Sequence, residues 1–430
     1  MRKTIKLAVV AALALGATSA FATNGDVMIG QGAKSRAMGG VGIAKAFGAE
    51  SALVNPANIS STKDMEATVA VTVFMPSVSL RSSLGGANAP YENSASNLSV
   101  IPEIYYSARL SDRLVTGLAI AGTAGMGVDY DSDKTSATQP FGDSGTARMK
   151  TNLSLLKVAV PVSYTVGGFT AGIAGVLQYG SLEMSHVYNA SPTGAPAGPY
   201  KFLQNGASTD VGYGLEFGAT YTTGGLTLGA VYKSKIGMNY NNTIAASIKS
   251  FGGAATGITS GDNLDQPEER GVGVSYNMGA NTISADYKNI AWADAAGYGD
   301  FGWNNQDVYA LGYEYTANAW ALRLGYNYAQ SPISEQNGAK GTAAAGGANA
   351  NYSGAIKNFF NLAGFPGVVT THYTLGGAYN ISKDFTLDGA LIYVPEVANS
   401  YDVSAAFGTG ATADVKHSQT GVTIAGTYKF

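Results

Sequence analysis

The sequence predicts an all-β membrane protein: a fourteen-stranded antiparallel transmembrane β-barrel with a small N-terminal plug in its lumen. Composition is the first reason. The 430 residues include 57 glycines and 26 tyrosines but only 13% charged side chains, whereas a soluble chain carries about 25%. No apolar stretch beyond the N-terminus reaches the ~20 residues of a membrane-spanning helix. The other reasons are a hydrophobic period of two and an even number of segments that show it, both typical of outer-membrane barrels.

Residues 1–22 have the pattern of a signal peptide for export. A positively charged stretch ends at Lys6, an apolar run covers Leu7 to Ala17, and Ala20-Phe21-Ala22 is a small-residue cleavage site. The alternative is an N-terminal membrane anchor, which is disfavoured because the apolar run is too short to span a bilayer and ends in a cleavage signal. We therefore expect the mature chain to begin at Thr23.

Residues 23–63 do not alternate and are predicted to be the plug. Small residues dominate them, as in the run from Gly30 to Gly42, so this part of the chain can pack closely in a confined space. The run is not a phosphate-binding loop, because it follows no predicted strand and lacks the required Gly-Lys-Ser/Thr ending. A fourteen-stranded barrel has an interior wider than the roughly eight-stranded kind that side chains alone can fill. We expect residues 23–63 to occupy that space.

Residues 64–430 are predicted to form the barrel. Near its end, Leu322 and Leu324 fall on one face of a strand while Ala321 and Arg323 fall on the other, which suits a wall with lipid outside and water inside. Trp320 begins the apolar face, where an aromatic girdle lies at the membrane interface. The predicted strands lie near 66–81, 98–110, 114–128, 147–165, 169–189, 209–223, 226–247, 268–278, 281–293, 305–316, 320–330, 370–381, 385–400 and 413–430.

The predicted connections alternate in length. Those after even-numbered strands are tight, such as Gly167-Gly168 and Gly224-Gly225, and those after odd-numbered strands are longer. In bacterial barrels the short turns are periplasmic and the long loops are extracellular. Both termini are therefore expected in the periplasm.

The C-terminus carries a specific signal. The last predicted strand ends in Phe430, with Tyr428 two residues before it. This ending resembles the sorting signal that the barrel-assembly machinery reads in outer-membrane barrels. Together with the signal peptide, it predicts insertion into the outer membrane of a Gram-negative bacterium, in contact with lipid and lipopolysaccharide.

Several segments resemble one family of membrane proteins. The most specific are Asn55-Pro56-Ala57, which follows Gly39-Gly40-Val41-Gly42-Ile43-Ala44, and Tyr232-Lys233-Ser234-Lys235-Ile236 in the seventh predicted strand. Ser331-Pro332-Ile333 and Gly376-Gly377-Ala378-Tyr379 also match. In these segments the chain resembles the FadL/TodX family of outer-membrane transporters for long-chain fatty acids and aromatic hydrocarbons. The likeness covers essentially the whole mature chain.

The resemblance implies a passive transporter of hydrophobic small molecules. Extracellular loops would capture the ligand, a lumen pocket beside the plug would bind it, and a kink in the third strand would release it sideways. Gly39, Gly40, Asn55, Pro56 and Ala57 would form the plug or gate, with the Asn-Pro-Ala motif near the kink.

The lateral opening itself would involve glycines of the third strand. Gly117, Gly122 and Gly125 permit a bend and a close backbone approach. An equally good reading is that these glycines relieve crowding against the plug.

No catalytic residue, metal site or cofactor is predicted. The chain lacks cysteine, its net charge is only −3, which argues against nucleic-acid binding, and no G-x-S-x-G hydrolase motif occurs. Lys233 and Lys235, predicted to point inward, are candidate contacts for a ligand carboxylate. The expected partner is a hydrophobic small molecule, and we expect a monomer. Two alternatives remain: a water-filled general porin, and a surface adhesin or receptor that uses the long loops.

Overall fold

Fourteen antiparallel strands close into a barrel. The computed structural model describes residues 23–82, 90–130, 149–189, 200–338 and 350–430; the predicted signal peptide lies outside them. The barrel strands are β1 (Met65–Ser82), β2 (Ser99–Arg109), β3 (Leu114–Asp129), β4 (Met149–Val166), β5 (Phe169–Asn189), β6 (Tyr200–Thr223), β7 (Leu226–Lys233), β8 (Glu269–Met278), β9 (Asn281–Ile290), β10 (Gln306–Thr316), β11 (Trp320–Ala329), β12 (Thr371–Asn380), β13 (Phe385–Asp402) and β14 (Thr412–Lys429). Each pairs with its sequence neighbours, and β14 pairs with β1. The predicted fold class is confirmed.

The two faces of the wall differ as the alternation predicts. Leu322 and Leu324 of β11 point outward and are 41% and 46% exposed, whereas Arg323 between them is buried in the lumen. The same outward row continues across neighbouring strands, with Leu311 on β10 and Leu375 on β12. An apolar belt therefore surrounds a polar lumen, as a lipid-embedded barrel requires.

Two predicted strand boundaries were wrong. β6 begins at Tyr200 instead of 209, and β7 ends at Lys233 instead of 247. Beyond β7 the carboxylate of Asp262 accepts hydrogen bonds from the backbone amides of Asn242, Thr243 and Ala245, at 2.8 to 3.0 Å. These bonds start a helix at Ile244, within the range that the alternation predicts as strand.

Short helices occupy residues 23–63 and the connections between strands. They are α1 (Gly32–Ala37), α2 (Ile244–Ser250), α3 (Ala350–Phe359), which continues as a π-helix (Phe360–Gly364), α4 (Ser404–Phe407), and 3₁₀ turns at Gly48–Leu53, Pro56–Ser61, Gly253–Thr256 and Trp292–Asp294. None of the helices in the described ranges is long and apolar enough to cross a bilayer. The connections after even-numbered strands are tight, and positive φ angles at Gly167, Gly224 and Gly279 shape three of these turns.

Residues 23–63, the N-terminal segment, lie inside the barrel along a row of inward-facing glycines. A Cβ atom on any of these glycines would come within 1.8 to 2.8 Å of an atom of the N-terminal segment. We call the row the glycine track: Gly172 on β5, Gly218 on β6, Gly229 on β7, Gly312 on β10 and Gly325 on β11. Only glycine lets the N-terminal segment approach the wall so closely.

One buried ion pair ties the N-terminal segment to β2, and a second joins two parts of the segment itself. Arg36 of α1 pairs with Glu103 of β2 and also donates to Thr72 of β1 at 2.8 Å. Lys34 pairs with Glu50 at 2.8 Å within the N-terminal segment. Arg36 and Glu103 are fully buried, and charges can be held there only because they are paired.

Candidate ligand pathway

The wall of the barrel is interrupted at a β-bulge in β3. Pairing of β2 with β3 ends at Glu103–Ala121. On the other side, the register of β3 against β4 shifts between Gly122 and Ala124, so Thr123 has no partner on β4. A bulge bends its strand and locally disrupts the ladder. From Gly122 onward, β3 therefore has no backbone pairing with β2.

The N-terminal segment covers this interruption from inside. Val27 pairs with Ala124, and the amide of Gly125 donates to the carbonyl oxygen of Asp26 at 3.0 Å. These bonds satisfy backbone groups of β3 that β2 no longer reaches. Displacing residues 26–28 would uncover the interruption.

An apolar chamber lies beside the bulge, toward the long loops. It is lined by β3, β5, α2 and three connections, and its free volume of about 20 Å³ is enough for roughly one water molecule. A ligand must therefore displace side chains to enter. The lining residues are Met126, Leu182, Met184, Ile244, Leu264, Tyr298, Phe301, Trp303, Asn361 and Phe365.

The polar groups around the apolar chamber already have hydrogen-bond partners within the protein. The indole of Trp303 donates to Asn361 at 3.0 Å, and the amide group of Asn361 donates to the carbonyl oxygen of Phe301 at 2.9 Å. Trp303 also packs against Tyr298 and Trp292, with ring centroids 4.9 and 5.1 Å away. The chamber consequently presents mainly apolar and aromatic surface to a ligand.

A second, polar chamber lies on the other side of residues 26–28, with a free volume of about 40 Å³. Three lysines reach into it. Lys157 lies 3.5 Å from Glu216, while Lys233 and Lys288 lie 3.7 and 3.9 Å from Glu269. The other lining residues include Thr123 and Ala124 of the bulge, together with Val27, Met28, Gly30, Gln31, Gly40, Ile43, Leu53, Val54 and Gln266.

Asp26 stands between the two chambers. Its carboxylate accepts hydrogen bonds from the hydroxyl of Tyr298, which lines the apolar chamber, and from the amide of Gln266, which lines the polar one. Asp26 is fully buried, and its Oδ1 has no hydrogen-bond partner among the described residues. Burial raises the pKa of Asp26 to about 6, although the bonds from Tyr298 and Gln266 act in the opposite direction.

The glycines predicted for the lateral opening all lie on β3. Gly122 adjoins the bulge, where a Cβ would come 2.7 Å from Ile101 of β2. Gly125 donates to Asp26. Gly117 pairs with Ser107 of β2, away from the bulge. Two of the three, Gly122 and Gly125, therefore lie beside the bulge, and Gly125 contacts the N-terminal segment.

The Asn-Pro-Ala motif lies away from the bulge. Asn55 and Pro56 contact Gly218 of β6, and Ala57 contacts Gly172 of β5. The side chain of Asn55 also donates to the carbonyl oxygen of Ile43 at 2.7 Å. These contacts anchor the N-terminal segment on the glycine track, which the motif alone did not predict.

Gly39 and Gly40 form the turn after α1. Their φ angles are +71° and +86°, and a Cβ on Gly40 would lie 1.5 Å from the carbonyl oxygen of Ile29. The amide of Gly39 donates to Thr374 of β12 at 2.9 Å. Both positions require glycine, and Gly40 lines the polar chamber.

Lys233 and Lys235 differ in position. Lys233 points into the polar chamber and donates to the carbonyl oxygen of Leu53 at 2.9 Å. Lys235 follows the end of β7, is about half exposed, and lies 3.5 Å from Asp265. Neither lysine lines the apolar chamber.

The family comparison fits this geometry. A family model described as outer membrane protein transport protein (OMPP1/FadL/TodX) matches residues 8–340, more than half of the chain. The chain belongs to this family. It is therefore a transport protein of the Gram-negative outer membrane and not an enzyme.

Solved structures with the fold of the FadL/TodX family resemble the chain along most of its length. The Pseudomonas putida toluene transporter TodX has a TM-score of 0.67 at 19% identity, over 93% of this chain and 99% of that one. A Pseudomonas aeruginosa FadL homologue scores 0.67 at 15% identity, over 94% and 100%. The Ralstonia pickettii toluene transporter TbuX scores 0.60 at 18% identity, over 93% and 98%. At these identities the likeness is one of fold.

A curated Chlorobium limicola protein shares a shorter stretch. Described as an uncharacterized protein in the phosphoenolpyruvate carboxykinase gene 5' region, it is 47% identical over 64 residues, 15% of this chain. The chain spans about a third (32%) of the length of that relative.

Proposed function

We propose that the protein carries hydrophobic small molecules passively across the outer membrane, through the apolar chamber and sideways out of the barrel at the β3 bulge. The observation that carries this proposal is the position of the chamber. Met126, which lines it, lies three residues beyond Thr123 on the strand that lacks its β2 neighbour. A ligand leaving there enters the bilayer without crossing the periplasm.

The lining of the chamber supports this substrate class. Its aromatic and aliphatic side chains can bury an apolar ligand, and the polar groups among them already have partners. Two of the similar structures are described as toluene transporters. We propose that small, uncharged hydrocarbons fit this chamber better than carboxylates.

The remaining parts take supporting roles in this proposal. Residues 1–22 are removed on export, and residues 23–63 act as the plug, with residues 26–28 as its movable part. Phe430 provides the signal for the barrel-assembly machinery. Each barrel encloses its own chambers, so we propose a monomer as the working unit.

Filling the chamber tests binding. Leu182 is fully buried in it, and so little free volume remains that Leu182→Phe is expected to lower affinity for propylbenzene by at least roughly tenfold. Leu177→Phe is the matched control, because Leu177 lies on the same strand but faces lipid. Binding is followed by quenching of Trp292 and Trp303 fluorescence. Equal affinity in both variants would contradict the assignment of the chamber.

Removing the bulge tests lateral release. Deleting Thr123 restores regular pairing of β3 with β4, so propylbenzene should still bind while uptake by cells lacking their own transporter is lost. Thr123→Ala keeps the bulge and should keep uptake. Undiminished uptake after the deletion would exclude this exit.

Other readings predict different results. A wild-type chain with large open conductance in a planar bilayer would support the porin. Deletion of residues 24–62 should raise conductance if the N-terminal segment is the plug. Hydrocarbon uptake that survives removal of the long loops would support the adhesin. The carboxylate contact of Lys233 and Lys235 stays a prediction, which Lys233→Met and Lys235→Met would overturn if carboxylate uptake did not change.

A further inference from the structure

Asp26 is a charged side chain that contacts a lining residue of each chamber and lies beside the bulge. Its two hydrogen bonds come from a side chain of each chamber, and both reach Oδ2. Oδ1 is buried with no partner among the described residues. The bond between the carbonyl oxygen of Asp26 and the amide of Gly125 holds this carboxylate beside the bulge.

The surroundings of Asp26 leave its negative charge largely uncompensated. Lys157 on β4 and Glu269 on β8 act on it with opposite sign. Tyr240 and Tyr298 face it as neutral hydroxyls, since burial raises the pKa of both phenols far above the physiological range. With its own pKa raised to about 6 by burial, Asp26 is mostly ionised at neutral pH.

The apolar chamber offers nothing to offset that charge. None of its described lining residues is a lysine, arginine or histidine. The lysines of the polar chamber lie beyond residues 26–28 and are already engaged by Glu216 and Glu269. An anionic ligand in the apolar chamber would therefore meet a like charge before any cation.

We propose that Asp26 is a specificity-determining residue, which admits uncharged molecules and rejects anionic ones at the passage from the apolar chamber to the bulge. This proposal rests on the proposed function and names its substrate class more narrowly. Two like charges about 5 Å apart, at an effective dielectric constant of about 20, disfavour an anion by roughly 250-fold. A neutral ligand of the same shape is not affected, and selection then comes from rejecting the wrong ligand.

A matched pair of ligands tests the proposal. Propylbenzene is uncharged, and 3-phenylpropane-1-sulfonate adds a group that stays anionic across the pH range used. Affinities of the purified full-length protein for both are measured by quenching of Trp292 and Trp303 fluorescence. The ratio of the two affinities is the quantity that is compared, because a change in the stability of the closed N-terminal segment alters both affinities equally.

Asp26→Asn is expected to lower the preference for the neutral ligand by at least roughly tenfold at pH 7.5. Asp112→Asn, in the exposed turn between β2 and β3, should leave the preference unchanged. The wild-type protein gives a second test that does not depend on the folding of a variant. At pH 5 Asp26 is mostly protonated, so the preference for the neutral ligand should fall similarly.

An affinity ratio that responds neither to Asp26→Asn nor to pH would overturn the proposal that Asp26 rejects anionic ligands. Failure of the wild-type protein and the Asp112→Asn variant to bind propylbenzene at all would instead overturn the proposed function. The two failures are therefore distinguishable.

Discussion

Replacing Asp26 with asparagine is expected to hold the N-terminal segment more firmly against β3. In the open state the Asp26 carboxyl is in water, with a pKa near 3.8, whereas in the closed state burial raises its pKa to about 6. At pH 7.5 the closed state therefore carries an ionised group that it disfavours. The penalty is the pKa difference of about 2 units at 1.36 kcal/mol each, or about 3 kcal/mol.

The asparagine variant does not recover the whole of that free energy. Its carbonyl oxygen can still accept from Tyr298 and Gln266, but its amide group takes the place of Oδ1, which has no partner. That loss is about 1 kcal/mol, so the net gain at pH 7.5 is about 2 kcal/mol. The sign follows from linkage: a raised pKa in the closed state favours closure at low pH, and this advantage is lost as the pH rises through 6. At pH 4 the advantage of the asparagine variant should therefore disappear.

Hydrogen exchange at the Gly125 amide measures this opening, because that amide donates to the carbonyl oxygen of Asp26. At pH 7.5 exchange in Asp26→Asn should be roughly 30-fold slower than in the wild-type protein, which corresponds to about 2 kcal/mol. Asp112→Asn should exchange at the wild-type rate. Faster exchange in Asp26→Asn, or the same ratio at pH 4 and pH 7.5, would refute the reasoning.

The remaining predictions concern the same closed state. Gly172→Ala places a Cβ 2.3 Å from the backbone of the N-terminal segment, so we expect the closed state to be destabilised by about 1–3 kcal/mol. Conductance in planar bilayers should then rise. Gly175→Ala is the control, because its Cβ meets open space on the same strand, and it should behave as wild type. Glu103→Gln leaves the guanidinium of Arg36 buried without its anion and should cost about 3–5 kcal/mol, measured by exchange of amides in α1; a second change, Arg36→Met, should restore part of the loss, and no restoration would argue against the ion pair. Tyr298→Phe removes a donor to a buried carboxylate, so closure should weaken by about 1–3 kcal/mol and the Gly125 amide should exchange faster at pH 7.5; an unchanged rate would show that this bond does not hold the segment.

The wall of the barrel could be predicted because one physical rule governs each of its residues. Leu324 meets lipid and Arg323 meets the lumen, so alternation alone assigns both. The end of β7 at Lys233 could not be predicted from alternation. The Asp262 carboxylate that turns the chain into α2 lies about 20 residues beyond the amides it binds, and alternation carries no information about such a bond.

The candidate site was less predictable, because distant parts of the chain build it. Asp26 accepts hydrogen bonds from Gln266 and Tyr298, which lie 240 and 272 residues away in the sequence. No local pattern around Asp26 indicates either partner. A carboxylate in a segment of small residues was the available signal. The bulge was foreseen only in part: glycines on β3 permitted a bend, but the unpaired residue is Thr123.

The glycine track also limits how the protein can change. Because the inner wall and the N-terminal segment fit without a layer of side chains between them, a larger residue on one requires a retreat of the other. An N-terminal segment transplanted from another barrel would therefore need that barrel's own pattern of inward-facing glycines. The two parts of the chain, although separated by more than a hundred residues at their nearest track contact, are free to vary only as a pair.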